Sequence, residues 1–397
     1  MRVVYYTHTA FFEVALSLVE ELSRLAEVHL LMEVGPAAWR MAGFDRRRER
    51  TPEGLVPGGA ILEDMPGGVA ARMDRTASFH LVVHGASKSL DPRSWLISRR
   101  ALRFARELRP DVLHVDDVDV SPRLPVALRA ADGIPLVLSV HDPETHSGEG
   151  SWRKRLSRRL AYPKASRFVL HSRIFESGFA ETYGIPTDRI DTVHLGALDV
   201  LRAWEQGAPH DHGPTVLFFG RLSAYKGLDT LYAAAPLVAR EVPRVRFVVA
   251  GRPVREYQPP PPPHLTEPAT VEVLDGYVSN PRAAGLFQEA TVVACPYRDA
   301  TQSAVLLTAY GFERPVVATE VGGIPEYVVD GETGLLIPPD DPRRLADALV
   351  RVLRDEALRS RLREGIQRAR RDRLGWGRAA REVLQVYEAA AGSSRRT

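Results

Sequence analysis

The sequence of 397 residues contains one cysteine and four lysines, and it has no long apolar run. A single thiol, Cys295, cannot close an internal disulfide, so a reducing, cytoplasmic environment is expected. Its setting in the apolar run Thr291–Cys295 points to a packed core position. A net charge of +3 is small for this length, and no tract reads as a nucleic-acid-binding arm. The N-terminus reaches Glu13 before a signal-peptide core can form, and nothing approaches the ~18 apolar residues of a spanning helix. The chain is expected to be soluble, or at most peripheral to the inner face of a membrane. Twelve histidines are present, but no His-Glu-x-x-His and no paired Cys/His spacing occurs, so no metal is expected.

Hydrophobic residues make up 44% and charged residues 26%, which fits an ordered globular chain. The length points to two domains. Short β-rich runs alternate with amphipathic stretches. Arg2–Tyr6, His29–Glu33, Leu81–His84, Val112–Val115, Leu136–Val140, Phe168–His171 and Thr192–Leu195 read as strands, with a helix over Phe11–Leu25. Such alternation predicts parallel sheets with right-handed crossovers. Residues 203–213 have a linker composition. The alternation then restarts with Val216–Phe219, a helix over Leu228–Arg240, and strands at Phe247–Ala250, Val271–Leu274, Val292–Cys295, Val316–Thr319 and Leu335–Ile337. The prolines 259–263 require a surface loop, and Asp341-Pro342 opens a capped helix. The predicted class is α/β, two Rossmann-like doubly wound parallel-sheet domains over residues 1–205 and 214–375. Ligands of such sheets sit at the strand carboxyl ends, so the crevice between domains is the expected site.

Two segments carry chemistry. Val216–Phe219 is followed by Gly220-Arg221-Leu222 and Lys226-Gly227, so a glycine turn and two cations five residues apart meet the start of a helix. These are the components of a diphosphate site. Arginine supplies 49 of the 53 basic residues, so a lysine at 226 suggests a need for a compact ammonium. The second segment, Cys295–Gly311, places Asp299, Thr301, Gln302 and Ser303 before a helix. The backbone N–H groups of Ser303, Ala304 and Val305 would be free for phosphate oxygens. Gly322-Gly323 then lets the chain approach a ligand closely. Ordinary capping explains the second segment equally well when it is taken alone.

The run from Gly220 to Pro339 resembles the donor-binding domain of the GT-B glycosyltransferases of family 4. The matching residues are Gly220-Arg221-Leu222, Lys226-Gly227, Pro315–Thr319, Gly322–Glu326, Val329–Gly331, Thr333–Leu335 and Pro338–Asp340. Leu138–Pro143 and Val169–Ser172 resemble the family's first domain more weakly. The resemblance implies a retaining transfer of sugar from a nucleotide-diphosphate sugar to a glycan, lipid-linked or small-molecule acceptor, with no metal or other cofactor. It makes His141, Arg221 and Lys226 the catalytic candidates. Gly220, Asp299, Thr301, Gln302, Ser303, Ala304, Val305 and Thr308 become the donor-binding candidates. It also implies a terminal helix, 376–391, that returns to pack on the first domain.

Two departures stand out. The family's paired glutamates fall on Ala300 and Thr308, so donor binding is reshaped or activity is lost. A non-catalytic GT-B protein that binds a nucleotide or glycan is the alternative. The glycine-rich loop expected after the first strand is replaced by Thr7–Glu13, where His8 either reaches the crevice or, as is commoner for a lone histidine, is a surface or capping residue. His141 either faces the crevice or caps its own loop. Trp152–Leu160 interleaves apolar and basic residues, compatible with an anionic membrane, an anionic acceptor or a solvated face. Asp45–Arg50 reads as an exposed loop.

Overall fold

The computed structural model describes residues 1–36, 51–63, 65–85, 91–119, 123–144, 152–207, 212–254 and 257–394. The chain forms two compact units, Met1–Leu195 with Trp376–Thr397, and Gly196–Gly375. Asp45–Arg50 lies outside the described residues.

The first unit is built on strands β1 (Arg2–His8), β2 (Glu27–Val34), β3 (Gly54–Pro57), β4 (Ser78–Val83), β5 (Val112–Asp116), β6 (Leu136–Val140), β7 (Arg167–Leu170) and β8 (Ile190–Thr192). Their order is β3-β4-β2-β1-β5-β6-β7-β8. Strands β5 and β6 are buried along their whole length, because helices cover both faces of such a sheet. Helices α1 (Phe12–Leu22), α2 (Pro92–Glu107), α3 (Trp152–Ala161) and α4 (Glu176–Tyr183) fill the crossovers. In α2 the buried residues Ser94, Ile97, Ser98, Ala101, Leu102 and Ala105 recur at helical spacing, and Asp91 caps its start. The sheet departs from the all-parallel expectation at its edge, where β3 runs antiparallel to β4. That strand is short and ends in a proline, which only an edge tolerates.

The second unit carries β9 (Thr215–Phe219), β10 (Arg246–Gly251), β11 (Thr270–Asp275), β12 (Val292–Cys295), β13 (Val316–Thr319) and β14 (Gly334–Ile337). They pair in the order β11-β10-β9-β12-β13-β14, all parallel. Helices α5 (Leu228–Glu241), α6 (Asn280–Glu289), α7 (Ala304–Gly311), α8 (Pro342–Arg354) and α9 (Glu356–Arg371) connect or follow them. Leu231, Ala235 and Val238 of α5 pack with Leu345, Leu349 and Val352 of α8 in one core cluster. Each leucine buried in this way contributes roughly 1.5–3 kcal/mol.

The unit boundary lies before the linker-like stretch at 203–213. Residues 196–204 are held within the second unit: Leu198 N–H donates to Leu307 O at 3.0 Å, and Ala197 N–H to Leu374 O at 3.0 Å. The last helix, α10 (Trp376–Ser394), packs on α1 in the first unit. Its Tyr387 is fully buried, with the hydroxyl 2.6 Å from His114 Nδ1.

Candidate active site

Each sheet reverses its strand order once, between β1 and β5 in the first unit and between β9 and β12 in the second. The chain termini of the strands at such a reversal splay apart, which opens a crevice there. Both sets of candidate residues stand at these carboxyl ends.

In the second unit, β9 ends at Phe219 and the chain turns through Gly220 at φ 103°. A side chain there would be strained, and its Cβ would lie 3.2 Å from both Lys226 Nζ and Val305 Cγ2. Gly220, Lys226 and Val305 thus share one cradle. Lys226 ends a 3-10 turn over Ala224–Lys226 and is buried. Its ammonium lies 3.4 Å from the Tyr297 hydroxyl and 4.8 Å above the centroid of the Tyr297 ring, a cation–π arrangement. Gly227 follows at φ 68°, where any Cβ would collide with Pro296 O at 2.0 Å.

The loop after β12 closes the same cradle. Tyr297 Oη lies 3.3 Å from Ser303 Oγ, and that oxygen accepts from Leu306 N–H at 3.2 Å as the N-cap of α7. Ser303, Ala304 and Val305 therefore present the open first turn of a helix beside a buried ammonium. Thr301 is buried, while Asp299 and Gln302 are half-buried in the preceding loop. The Gln302 Oε1 atom is buried without a hydrogen-bond partner among the described residues. Arg221 is exposed. The Thr308 hydroxyl donates to Ala304 O at 2.8 Å, which leaves only its lone pairs for a ligand. Ala300 is buried, and its carbonyl accepts from Gly323 N–H at 3.1 Å. Gly322, at φ 48°, comes so close to that carbonyl that a Cβ would sit 1.8 Å from it. Burial pushes the Cys295 thiol up to about 11, so it is an inert core group.

In the first unit, His141 directly follows β6 and is buried. Its Nε2 lies 2.6 Å from Asp116 Oδ1 at the end of β5, and Phe11 stacks on the ring at 4.0 Å. Thr7 Oγ1 donates to the other Asp116 oxygen at 3.0 Å. Burial alone would lower the His141 pKa, but the Asp116 charge and hydrogen bond outweigh it and raise the value above ordinary histidine. Burial would likewise raise Asp116, yet the His141 charge holds it below the usual carboxylate range. Both shifts favour the charged forms of the dyad. His171, close to the His141 ring, is pushed down to about 3 by burial and stays neutral.

Beside it, Glu33 at the end of β2 accepts from Tyr6 Oη at 2.9 Å and Arg123 Nη2 at 3.1 Å, with His84 Nε2 at 3.3 Å. His8 accepts from Ala10 N–H at 3.0 Å and so caps the following turn. The sequence does not announce Asp116, Glu33, Arg123 or Tyr297. Only the acidic pair closing the apolar run Val112–Asp116, and the aromatic directly after Pro296, hint at two of them. Among the described residues, no group of three or more His, Cys, Asp or Glu is placed to hold a metal, and no helix is long and apolar enough to cross a membrane.

Two doubly wound units of this kind define a GT-B fold. The family described as "Glycosyltransferase Family 4" matches residues 13–197, and "Glycosyl transferases group 1" matches residues 213–355. A D-inositol 3-phosphate glycosyltransferase of Catenulispora acidiphila is 30% identical over 307 residues, covering 70% of this chain and 72% of the relative. A phosphatidyl-myo-inositol mannosyltransferase of Mycobacterium leprae is 27% identical over 354 residues, or 86% and 85% of the two chains. Anabaena HepE, solved in complex with UDP-glucose, superposes with a TM-score of 0.65 at 16% identity over 98% of this chain and 100% of its own. The protein belongs to the group 1, family 4 glycosyltransferases.

Proposed function

We propose that the protein moves a hexosyl group, with retention of configuration, from a nucleoside-diphosphate sugar to a hydroxyl of a saccharide, lipid-linked or small-molecule acceptor. The observation that carries this reading is the cradle of Gly220, Lys226, Tyr297 and the Ser303 helix start. It offers a buried, positioned ammonium and open backbone donors in a space that a Cβ at 220 would crowd.

The chemistry needs charge stabilisation at the leaving group. As the bond from the sugar's anomeric carbon to the diphosphate oxygen breaks, negative charge grows on that oxygen. Lys226, Arg221 and the N–H groups of Ala304 and Val305 would neutralise it without reorganising. The acceptor oxygen forms the new bond on the same face, and its proton passes to the departing diphosphate. The Ser303 hydroxyl and Gln302 Oε1 are placed to hold the remainder of the donor, and Thr308 lone pairs would accept one ribose hydroxyl. Asp299 and Thr301 would shape the loop against the donor. On the first unit, His141 Nε2 is committed to Asp116, so Nδ1 is the ring atom an acceptor would meet. No metal enters this scheme, because the cations needed are side chains. The inositol-bearing substrates in the names of the two relatives make a polyol acceptor the first to try.

Incubating the protein with pooled nucleotide sugars, with and without myo-inositol phosphate, and following nucleoside diphosphate by mass spectrometry tests this. Acceptor-dependent release with an axial product by NMR is expected. Nucleotide binding with no turnover on any donor, or an inverted product, would overturn it.

A further inference from the structure

The second unit carries a cavity of about 420 Å³ at the end of its sheet opposite the Gly220 and Ser303 turns. Strands β9, β12 and β13 run parallel, and Pro214, Thr291 and Pro315, each directly before one of them, line the cavity. The donor cradle follows the other ends of β9 and β12. The five residues of β9 therefore hold the two places ~16 Å apart.

Three arginines share this lining: Arg314, in the turn between α7 and β13, and Arg359 and Arg363, one helical turn apart on α9. Arg314 donates to Phe287 O at 3.1 Å and Gln288 O at 2.7 Å, and Arg359 to Val352 O at 2.9 Å and Leu353 O at 2.8 Å. Both thus reach carbonyls in the last turns of helices, α6 and α8. Each such helix end carries roughly half a negative charge, so the two together offset about one of the three cations. The lining holds a single acid, Glu289, which Arg246 already meets at 3.2 Å. Among the described residues Arg314, Arg359 and Arg363 form no ion pair, and Arg363 makes no hydrogen bond either. Burial lowers the pKa of Arg314, and repulsion from the Arg363 charge pushes the same way. Like charges are held close here, and an anion between them would relieve the repulsion.

We propose that this cavity binds a small phosphorylated metabolite at a second site, separate from the donor cradle. Its volume falls within the range of small-molecule pockets. The three arginines converge on one concavity, which suits a compact ligand better than a flat charged surface. About two positive charges remain after the helix ends are counted, and a phosphomonoester carries −1.5 to −2 near neutral pH. Guanidinium forks pair with phosphate oxygens two at a time, and the Arg363 fork is wholly available for this. Binding here uses no residue of the donor cradle.

Isothermal titration calorimetry of the full chain with inorganic pyrophosphate as the probe tests the idea. The K226A variant, whose donor cradle is weakened, should still bind one pyrophosphate. Adding R363Q should weaken that site about tenfold or more, the usual effect of losing a hydrogen bond to a charged group, and R363E should remove it. Neither change at 363 breaks a contact within the chain, so both variants should melt at the temperature of their parent. Pyrophosphate should raise the melting temperature of K226A and leave that of K226A/R363E unmoved. Binding that vanishes in K226A alone, equal affinity in K226A and K226A/R363E, or no pyrophosphate binding by any form would each overturn the second site.

Discussion

The two strand-end sites are built in opposite ways. In the first unit the carboxyl ends of the strands are crowded with buried ionisable groups set against one another: Asp116 pairs with His141, Glu33 accepts from Arg123 and Tyr6, and His84 lies beside Glu33. In the second unit the corresponding place holds one buried ammonium among glycines, hydroxyls and a helix start. Paired charges make a nearly neutral wall. A buried lysine among close backbone approaches, beside the start of a helix, gives the second unit's strand ends a positive character. The difference predicts an uneven response to mutation: stability should suffer in the first unit and chemistry in the second.

The largest effect should come from Lys226→Ala. Loss of one transition-state cation should raise the barrier by about 2–4 kcal/mol, roughly 30- to 900-fold in kcat, with the melting temperature preserved. Unchanged turnover on any accepted donor would remove Lys226 from the chemistry and erase the contrast between the units.

Asp116→Asn should act on the fold first, lowering stability by on the order of 3 kcal/mol because a buried pair loses one charge. The raised pKa of His141 gives this loss a sign with pH. The histidine's contribution is complete below its unfolded value of about 6.5 and is lost as pH climbs through the raised folded value. Asp116, with a lowered pKa, contributes above about 3.9 and loses its part only as pH falls through the folded value. Chemical denaturation should therefore show the widest gap between wild type and variant from about pH 4 to 6.5, closing toward the alkaline side. A gap that widens with alkalinity would mean that the dyad is not an ion pair.

Gly220→Ala should cost about 1 kcal/mol of stability from the left-handed backbone. It should also raise the donor KM several-fold by pushing on Lys226 and Val305, and an unchanged KM would place the donor elsewhere. The smallest effect is expected from Thr308→Val. One hydroxyl accepting one hydrogen bond contributes about 1 kcal/mol, near fivefold in donor KM. No change at all would show that the hydroxyl serves only its own helix.

Legibility followed the same division. Strands such as Leu136–Val140, Val292–Cys295 and Val316–Thr319 match their sequence-predicted bounds, because continuous apolar runs between turn residues admit little else. The segment Thr192–Leu195 does not. Its strand ends at Thr192, and the following residues leave the sheet. The β3 strand was invisible, since three half-exposed residues followed by an exposed proline leave no periodic signal. In the site, Gly220, Lys226 and Ser303 could be read from spacing because each sits at a turn whose backbone geometry restricts the residue type. Tyr297 could not, since its role depends on a partner 71 positions away.

The sequence by itself determined the alternation of strands and helices, the glycines where backbones must touch, the cap that opens α7 and the family to which the chain belongs. All of these are local constraints of φ, hydrogen bonding and period, written within a few residues of one another. Tertiary structure alone decided which buried polar groups meet: Thr7 with Asp116 across 109 residues, Arg123 with Glu33 across 90 and His114 with Tyr387 across 273. It also turned one arginine of α3 inward and its neighbours outward. Electrostatic pairing in a buried site depends on distance in space, and that distance exists only once the sheets have closed.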